Sequence, residues 1–152
     1  MKKWLILAAL SLLFSGCENK KGAFLERITS HHDQQSTVQR LIDTIKAKGL
    51  THFGTIDHSD NAKKVGIALK PESVVLFGNP KMGTVLMQCN PSMGLDLPLR
   101  ILVTTDYKGE TTLTYTNPEY WTLKHNIKDK KCLGIIQKAH IAMRKIVDAV
   151  AN

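Results

Sequence analysis

His58 and Asp96 are the two residues whose types best suit acid–base chemistry. His58 follows Asp57 at the end of a strand-like run, and an imidazole titrates close to neutral pH, where it can move a proton. That pair would serve a hydrolase or an isomerase with His58 as general base. No serine, threonine or cysteine stands in a nucleophile motif, and no HExxH or paired-carboxylate signature is present. The catalytic reading therefore rests on two residues that the sequence does not place relative to each other.

A second set lies in FGNPKMGTVLMQCNPSMGLDLPLR, Phe77 to Arg100. Asn79 is a good N-cap and Pro80 a good first helical residue, so the chain turns there from strand into helix. A helix start offers free N–H groups and a partial positive charge, which suits a small anion or polar ligand. Asn79, Lys81, Gly83 and Thr84, together with His58, form the expected ligand-binding set. Gly78 and Gly83-Thr84 have a spacing similar to a phosphate-binding P-loop, but the lysine that must precede Thr84 is absent, which excludes nucleotide hydrolysis. The competing reading is that both glycines only allow close packing at a tight turn.

Met82, Met87, Met93, Cys89 and His58 supply soft donors, and a copper-binding accessory protein is an alternative reading. Against it, Met82, Cys89 and Met93 share a helical face that reads as core, where methionine fills gaps. No metal site is assigned and no cofactor is expected. His31-His32 beside Asp33 reads as a solvated loop, and His140 as part of an apolar helix stripe.

The N-terminus supplies an address. MKKWLILAALSLLFSGC has two lysines, a short apolar run and small residues before a cysteine, the marks of a secretory signal. The run is shorter than the roughly 20 apolar residues a membrane-spanning helix needs. Phe14-Ser15-Gly16-Cys17 further resembles the lipobox of bacterial lipoproteins. That resemblance implies a signal peptide over 1–16, cleavage before a lipidated Cys17, and a membrane-anchored domain on the periplasmic side of the cell envelope. Residues 17–30 read as lipidated cysteine and tether, and 31–152 as one domain. The net charge of +8 loses two lysines with the signal. Outside the cytoplasm the remainder supports solubility or weak attraction to anionic lipid, and no nucleic-acid motif accompanies it. An oxidising compartment permits a Cys89–Cys132 bridge, but two buried thiols fit the sequence equally well.

These residues must be positioned by a modest set of elements. Leu25 to Ser30 has a weak strand alternation. Ser36-x-x-Gln39 has the form of a capping box, predicting a helix over Thr37–Lys48 that Gly49 stops. Leu50 to His58 reads as a strand with Leu50, His52, Gly54, Ile56 and His58 on one face, followed by a short helix from Ser59 or Asp60 to Val65. Val74–Phe77 and Leu97–Thr105 are continuous apolar runs, predicting strands covered on both faces. Thr111–Tyr115 completes a hairpin. Asn117-Pro118 opens a short helix to His125, and Cys132–Ala151 carries a long apolar stripe at helical spacing. The fold class is α+β: a single domain, with a mainly antiparallel sheet covered by helices and a long C-terminal helix.

FxxIDH (Phe53–His58), NAKKVGIALKPESVVLFGNPKMGTVLM (Asn61–Met87), LDLPLRILV (Leu95–Val103) and YTNPEYW (Tyr115–Trp121) together resemble the domain-of-unknown-function family numbered 302, over about residues 36–126. The resemblance implies a compact α+β domain that pairs as a homodimer, with the motif residues at a pocket or turn, and carries no activity with it. The lipoprotein signal and the helix from Cys132 depart from its simplest members. The leading reading is a non-enzymatic, lipid-anchored module that binds a small ligand or a partner.

Overall fold

The computed structural model describes residues 24–152, so the signal segment and Cys17 lie outside the described residues. Five strands form one antiparallel sheet in the order β1-β5-β4-β3-β2, with β1 Leu25–Ser30, β2 Thr51–Asp57, β3 Glu72–Gly78, β4 Leu99–Thr105 and β5 Thr111–Thr116. Leu25–Ser30, counted above within the tether, pairs along its whole length with β5. The helices are α1 Gln34–Ala47, α2 His58–Lys64, α3 Pro80–Cys89, α4 Tyr120–Lys124 and α5 Lys130–Ala151, with a short 3-10 helix at Pro91–Leu95. The α+β reading holds.

Helix α1 begins a turn before the expected start. Asp33, not Ser36, is its cap: the carboxylate accepts from the Ser36 N–H at 2.9 Å and from the Ser36 hydroxyl at 2.8 Å. An aspartate at the cap also meets the positive end of the helix, so it takes the role ahead of serine. In β2 a bulge between His52 and Gly54, with Gly54 at φ +155, shifts the register, so the expected single face from Leu50 to His58 is broken there.

Helices α1 and α5 cover one sheet face. Leu41 and Ile45 from α1, Val75 and Phe77 from β3, and Met143 and Ile146 from α5 are almost wholly buried in one cluster. Burying each such side chain contributes about 1.5–3 kcal/mol. Val74 and Leu76, on the opposite face, are only half-buried. The apolar run of β3 is thus buried on one face only, the alternation of an antiparallel sheet with one face packed on the core. A smaller cluster of Leu86, Met93, Trp121, Ile127, Cys132 and Ile136 joins α3 and α4 to the start of α5. The five strands and both clusters pack against one another within residues 24–152.

Candidate ligand-binding cavity

Strand β3 runs out at Gly78, and the chain turns into α3 as its sequence demands. The Asn79 side chain accepts from the Met82 N–H at 3.2 Å, and Pro80 needs no partner for an N–H it lacks. Asn90 ends α3 and caps the 3-10 helix that follows, its side chain accepting from the Ser92 N–H at 2.9 Å. The expected helical face through Met93 is therefore made of two pieces, and Pro91 is where they part.

Between α3, the end of the sheet and α5 lies a cavity of about 560 Å³. Its floor is apolar, with Leu86 and Trp121 buried, and Leu97, Leu99 and Ile146 complete it. Asn79 and Thr84, both exposed, stand at its rim with Phe53 and Met87. Gly83 faces it, and a Cβ built there would meet Leu97 Cδ1 at 3.5 Å. The rim has few free donors. The Gly83 N–H donates to the Asn79 carbonyl at 2.9 Å, and the Thr84 hydroxyl to the Pro80 carbonyl at 2.9 Å.

Of the residues singled out from sequence, Asn79, Gly83 and Thr84 line this cavity together, whereas Lys81 is exposed in the same turn and lines none of it. His58 is elsewhere. Thr51 pairs with Gly78 and Asp57 with Ser73, so His58 follows the far end of β2. Five residues of strand, at about 3.3 Å each, put roughly 17 Å between that end and Asn79. His58 opens α2 as its first residue, under a cap made by Asp57, rather than closing a strand. Asp57 accepts from the Ser59 hydroxyl and the Asp60 N–H, and these bonds hold its carboxyl below the usual range.

Asp96 has a different partner. His125, at the C-terminal end of α4, places Nε2 2.5 Å from Asp96 Oδ2 and Nδ1 2.6 Å from the Ser92 hydroxyl. Lys124 Nζ donates to Asp96 at 3.0 Å. Burial pushes the Asp96 carboxyl up, but the bonds from Lys124 and His125 outweigh it and hold the group below the ordinary carboxylate range. The sequence reading missed His125 and Ser92, since their spacing of 33 residues matches no motif. The order serine–histidine–aspartate is that of a nucleophilic relay, yet the donors around Ser92 are committed. Its own N–H goes to Asn90 Oδ1, the Met93 N–H to the Asn90 carbonyl and the Asn90 amide to the His125 carbonyl. Spent in this way, none of those three groups is held out toward an oxyanion at Ser92. What it does is clamp the cavity wall: Asp96 precedes Leu97, and the His125 N–H donates to the Trp121 carbonyl at 2.9 Å.

The soft donors do not converge. Met93 is fully buried and Met87 exposed, and Cys89 is bonded to Cys132. Asp129 is the third member of a Cys89–Asp129–Cys132 group, but its carboxylate caps α5 through the Cys132 N–H at 2.9 Å and both sulfurs are spent on the bridge. Asp33, beside His31 and His32, is spent on capping α1.

A helix-backed antiparallel sheet with an apolar cavity at one end defines a small α+β domain. The chain belongs to the DUF302 family, a domain of unknown function, whose model matches residues 26–150. That span takes in all but the first residue of β1 and all but the last of α5, so the long helix lies inside the family's domain rather than beside it. A crystal structure of an uncharacterized conserved DUF302 protein from Bacillus stearothermophilus has the same fold, with a TM-score of 0.75 and 17% identity over 84% of this chain and 98% of that one. Fluoride-specific ion channel FluC 1 of Brucella suis biovar 1 and its namesake of Brucella abortus biovar 1 are each 37% identical over 103 residues, 68% of this chain. The chain spans only 41% and 38% of those relatives' lengths. No helix among the described residues is long and apolar enough to cross a membrane.

Proposed function

We propose that this chain is a lipid-anchored binding module on the periplasmic side of a bacterial envelope, holding a small apolar molecule without transforming it. The observation that carries this reading is the cavity of about 560 Å³ with its apolar floor. Small-molecule sites run from roughly 300 to 1,000 Å³ and are mostly apolar with a few polar groups. The lining favours a mainly apolar ligand over the small anion expected from sequence, because the Gly83 N–H and the Thr84 hydroxyl at the rim are already bonded within the helix. The Cys89–Cys132 bridge agrees with export, since oxidised pairs persist outside the cytoplasm. The lipobox-like Phe14–Cys17 supplies the anchor.

The test is native mass spectrometry of residues 18–152, purified gently, followed by melting curves with a panel of apolar compounds. A retained organic mass, or a melting temperature that rises with ligand concentration, supports the reading. If no mass is retained and no compound shifts the melt, the cavity is not a site. The same spectrum reads the homodimer that the family resemblance implies, as a doubled mass.

A second reading, a partner-binding module for a membrane transport protein, is favoured by the fluoride-channel relatives, in which a region like this chain makes up about two fifths of the length. Fluoride flux through a reconstituted channel, with and without this chain, tests it. Unchanged flux and no co-elution would remove it.

A further inference from the structure

We infer that the cavity takes a single-chain amphiphile from the membrane, its chain lying among Leu86, Leu97 and Trp121 and its polar head at the Asn79–Thr84 rim. This rests on the cavity being a binding site, as proposed above, and adds the class of its occupant.

Three observations converge. The first is the gradient within the cavity. Its depth is apolar and buried, while the polar residues Asn79 and Thr84 stand at the exposed rim. The Asn79 side chain uses only its oxygen, on the Met82 N–H, so a headless hydrocarbon would leave its amide NH2 unused, and a wholly polar ligand would give up hydrogen bonds to water against the apolar floor.

The second is direction. In a fully antiparallel sheet, the starts of β1, β2 and β4 share one end with the finishes of β3 and β5. Leu25, Thr51, Leu99 and Gly78 therefore all lie at the cavity end. The chain enters β1 from that end, and three strand spacings of about 4.8 Å separate β1 from β3. Cys17 stands eight residues before Leu25, a reach of at most about 28 Å. A lipid on Cys17 thus tethers the domain by the end that carries the cavity.

The third is the rim itself. Phe53 is 52% exposed and Met87 38%, and Leu95 beside Gly94 is 75% exposed. Lys81 and Arg100 are exposed at the same end of the sheet. Apolar side chains among lysine and arginine suit a surface that rests on anionic headgroups.

Trp121 reports on the cavity from inside. It is the one tryptophan of residues 18–152, because Trp4 leaves with the signal. The experiment titrates this segment with 9,10-dibromostearate, whose bromines quench indole fluorescence on contact, and in parallel with a dibrominated alkane of equal length. Gly83→Leu projects a side chain into the cavity, and Thr84→Phe blocks the rim from an exposed helix position should the first variant fold poorly. Saturable quenching by the stearate, weakened at least about tenfold in both folded variants and markedly weaker with the alkane, is the expected result. An alkane that quenches as tightly keeps the cavity as a site and overturns the amphiphile. Stearate quenching untouched by either variant places the ligand elsewhere, and also overturns it. No saturable quenching by either probe overturns both readings.

Discussion

Cys89 at the end of α3 and Cys132 near the start of α5 are joined by a disulfide, with their Cα atoms 6.7 Å apart. The bridge ties the helix that walls the cavity to the helix that covers the sheet. It closes a loop of sequence separation 43, and constraining the unfolded chain in this way contributes about 2–4 kcal/mol. Reduction with dithiothreitol should lower the urea midpoint by a corresponding amount, with mass spectrometry confirming the gain of two hydrogens. An unchanged midpoint after complete reduction would show that the bridge contributes nothing to stability.

Asp96 makes stability depend on acid. Its folded carboxyl titrates below the ordinary value, because the bonds from Lys124 and His125 outweigh its burial. A group lowered in this way contributes fully above the unfolded value of about 3.9, and the contribution is lost as pH falls through the folded value. Asp96→Asn should therefore be less stable than the parent at pH 7, with the two denaturation midpoints converging below about pH 4. Asp33, Asp57 and Asp106 are lowered as well but are present in both chains, so they cancel from the difference. A gap that stays constant down to about pH 3 would mean that the shape of the side chain, not its charge, is what matters.

Local rules made much of this molecule legible. The Asn79 cap, the Pro80 start, the α5 stripe and the β4–β5 hairpin all follow from contacts between near neighbours, and all are present. Where two local signals competed, the stronger group decided: Asp33 took the cap of α1 from Ser36, and Asp57 capped α2 so that His58 became helical. What could not be read was distance in space. The bulge at Gly54 breaks the single face on which His58 was expected with its neighbours, and the strand pairing carries it to the far end of the sheet. Asp96 stands out by its type, but its partner His125 is 29 residues away on a helix whose direction only the packing sets. The cavity combines α3, the sheet end and α5, and no single stretch of sequence announces it.

Two residues of the α3 turn, Asn79 and Lys81, should behave differently. Asn79 satisfies the Met82 N–H, and replacing such a cap by alanine costs about 1 kcal/mol. Asn79→Ala should lower the melting temperature and, by fraying the rim, weaken any ligand in the cavity. Lys81 is exposed and lines no part of it, so Lys81→Ala should stay within about 0.5 kcal/mol and leave binding unchanged. Strong loss of binding in Lys81→Ala would instead revive the anion expected from sequence.

His58 gives the sharpest separation between binding and catalysis. It is half-buried at the start of α2, with the length of β2 between it and the α3 turn. A side chain so placed neither touches a ligand in the cavity nor meets the Asp96–His125 pair, which lies against the cavity wall. His58→Gln keeps a polar side chain of similar reach, and its stability should stay within about 0.5 kcal/mol of the parent. Ligand-dependent melting shifts should also be unchanged, because the ligand proposed above sits among Asn79, Gly83, Thr84 and the apolar floor. The check is a pair of melting series, parent and variant, with the same apolar compound. Should the variant instead lose a turnover seen in the parent while melting normally, His58 would be acting as a general base at a second site, and the domain would have to be read as an enzyme.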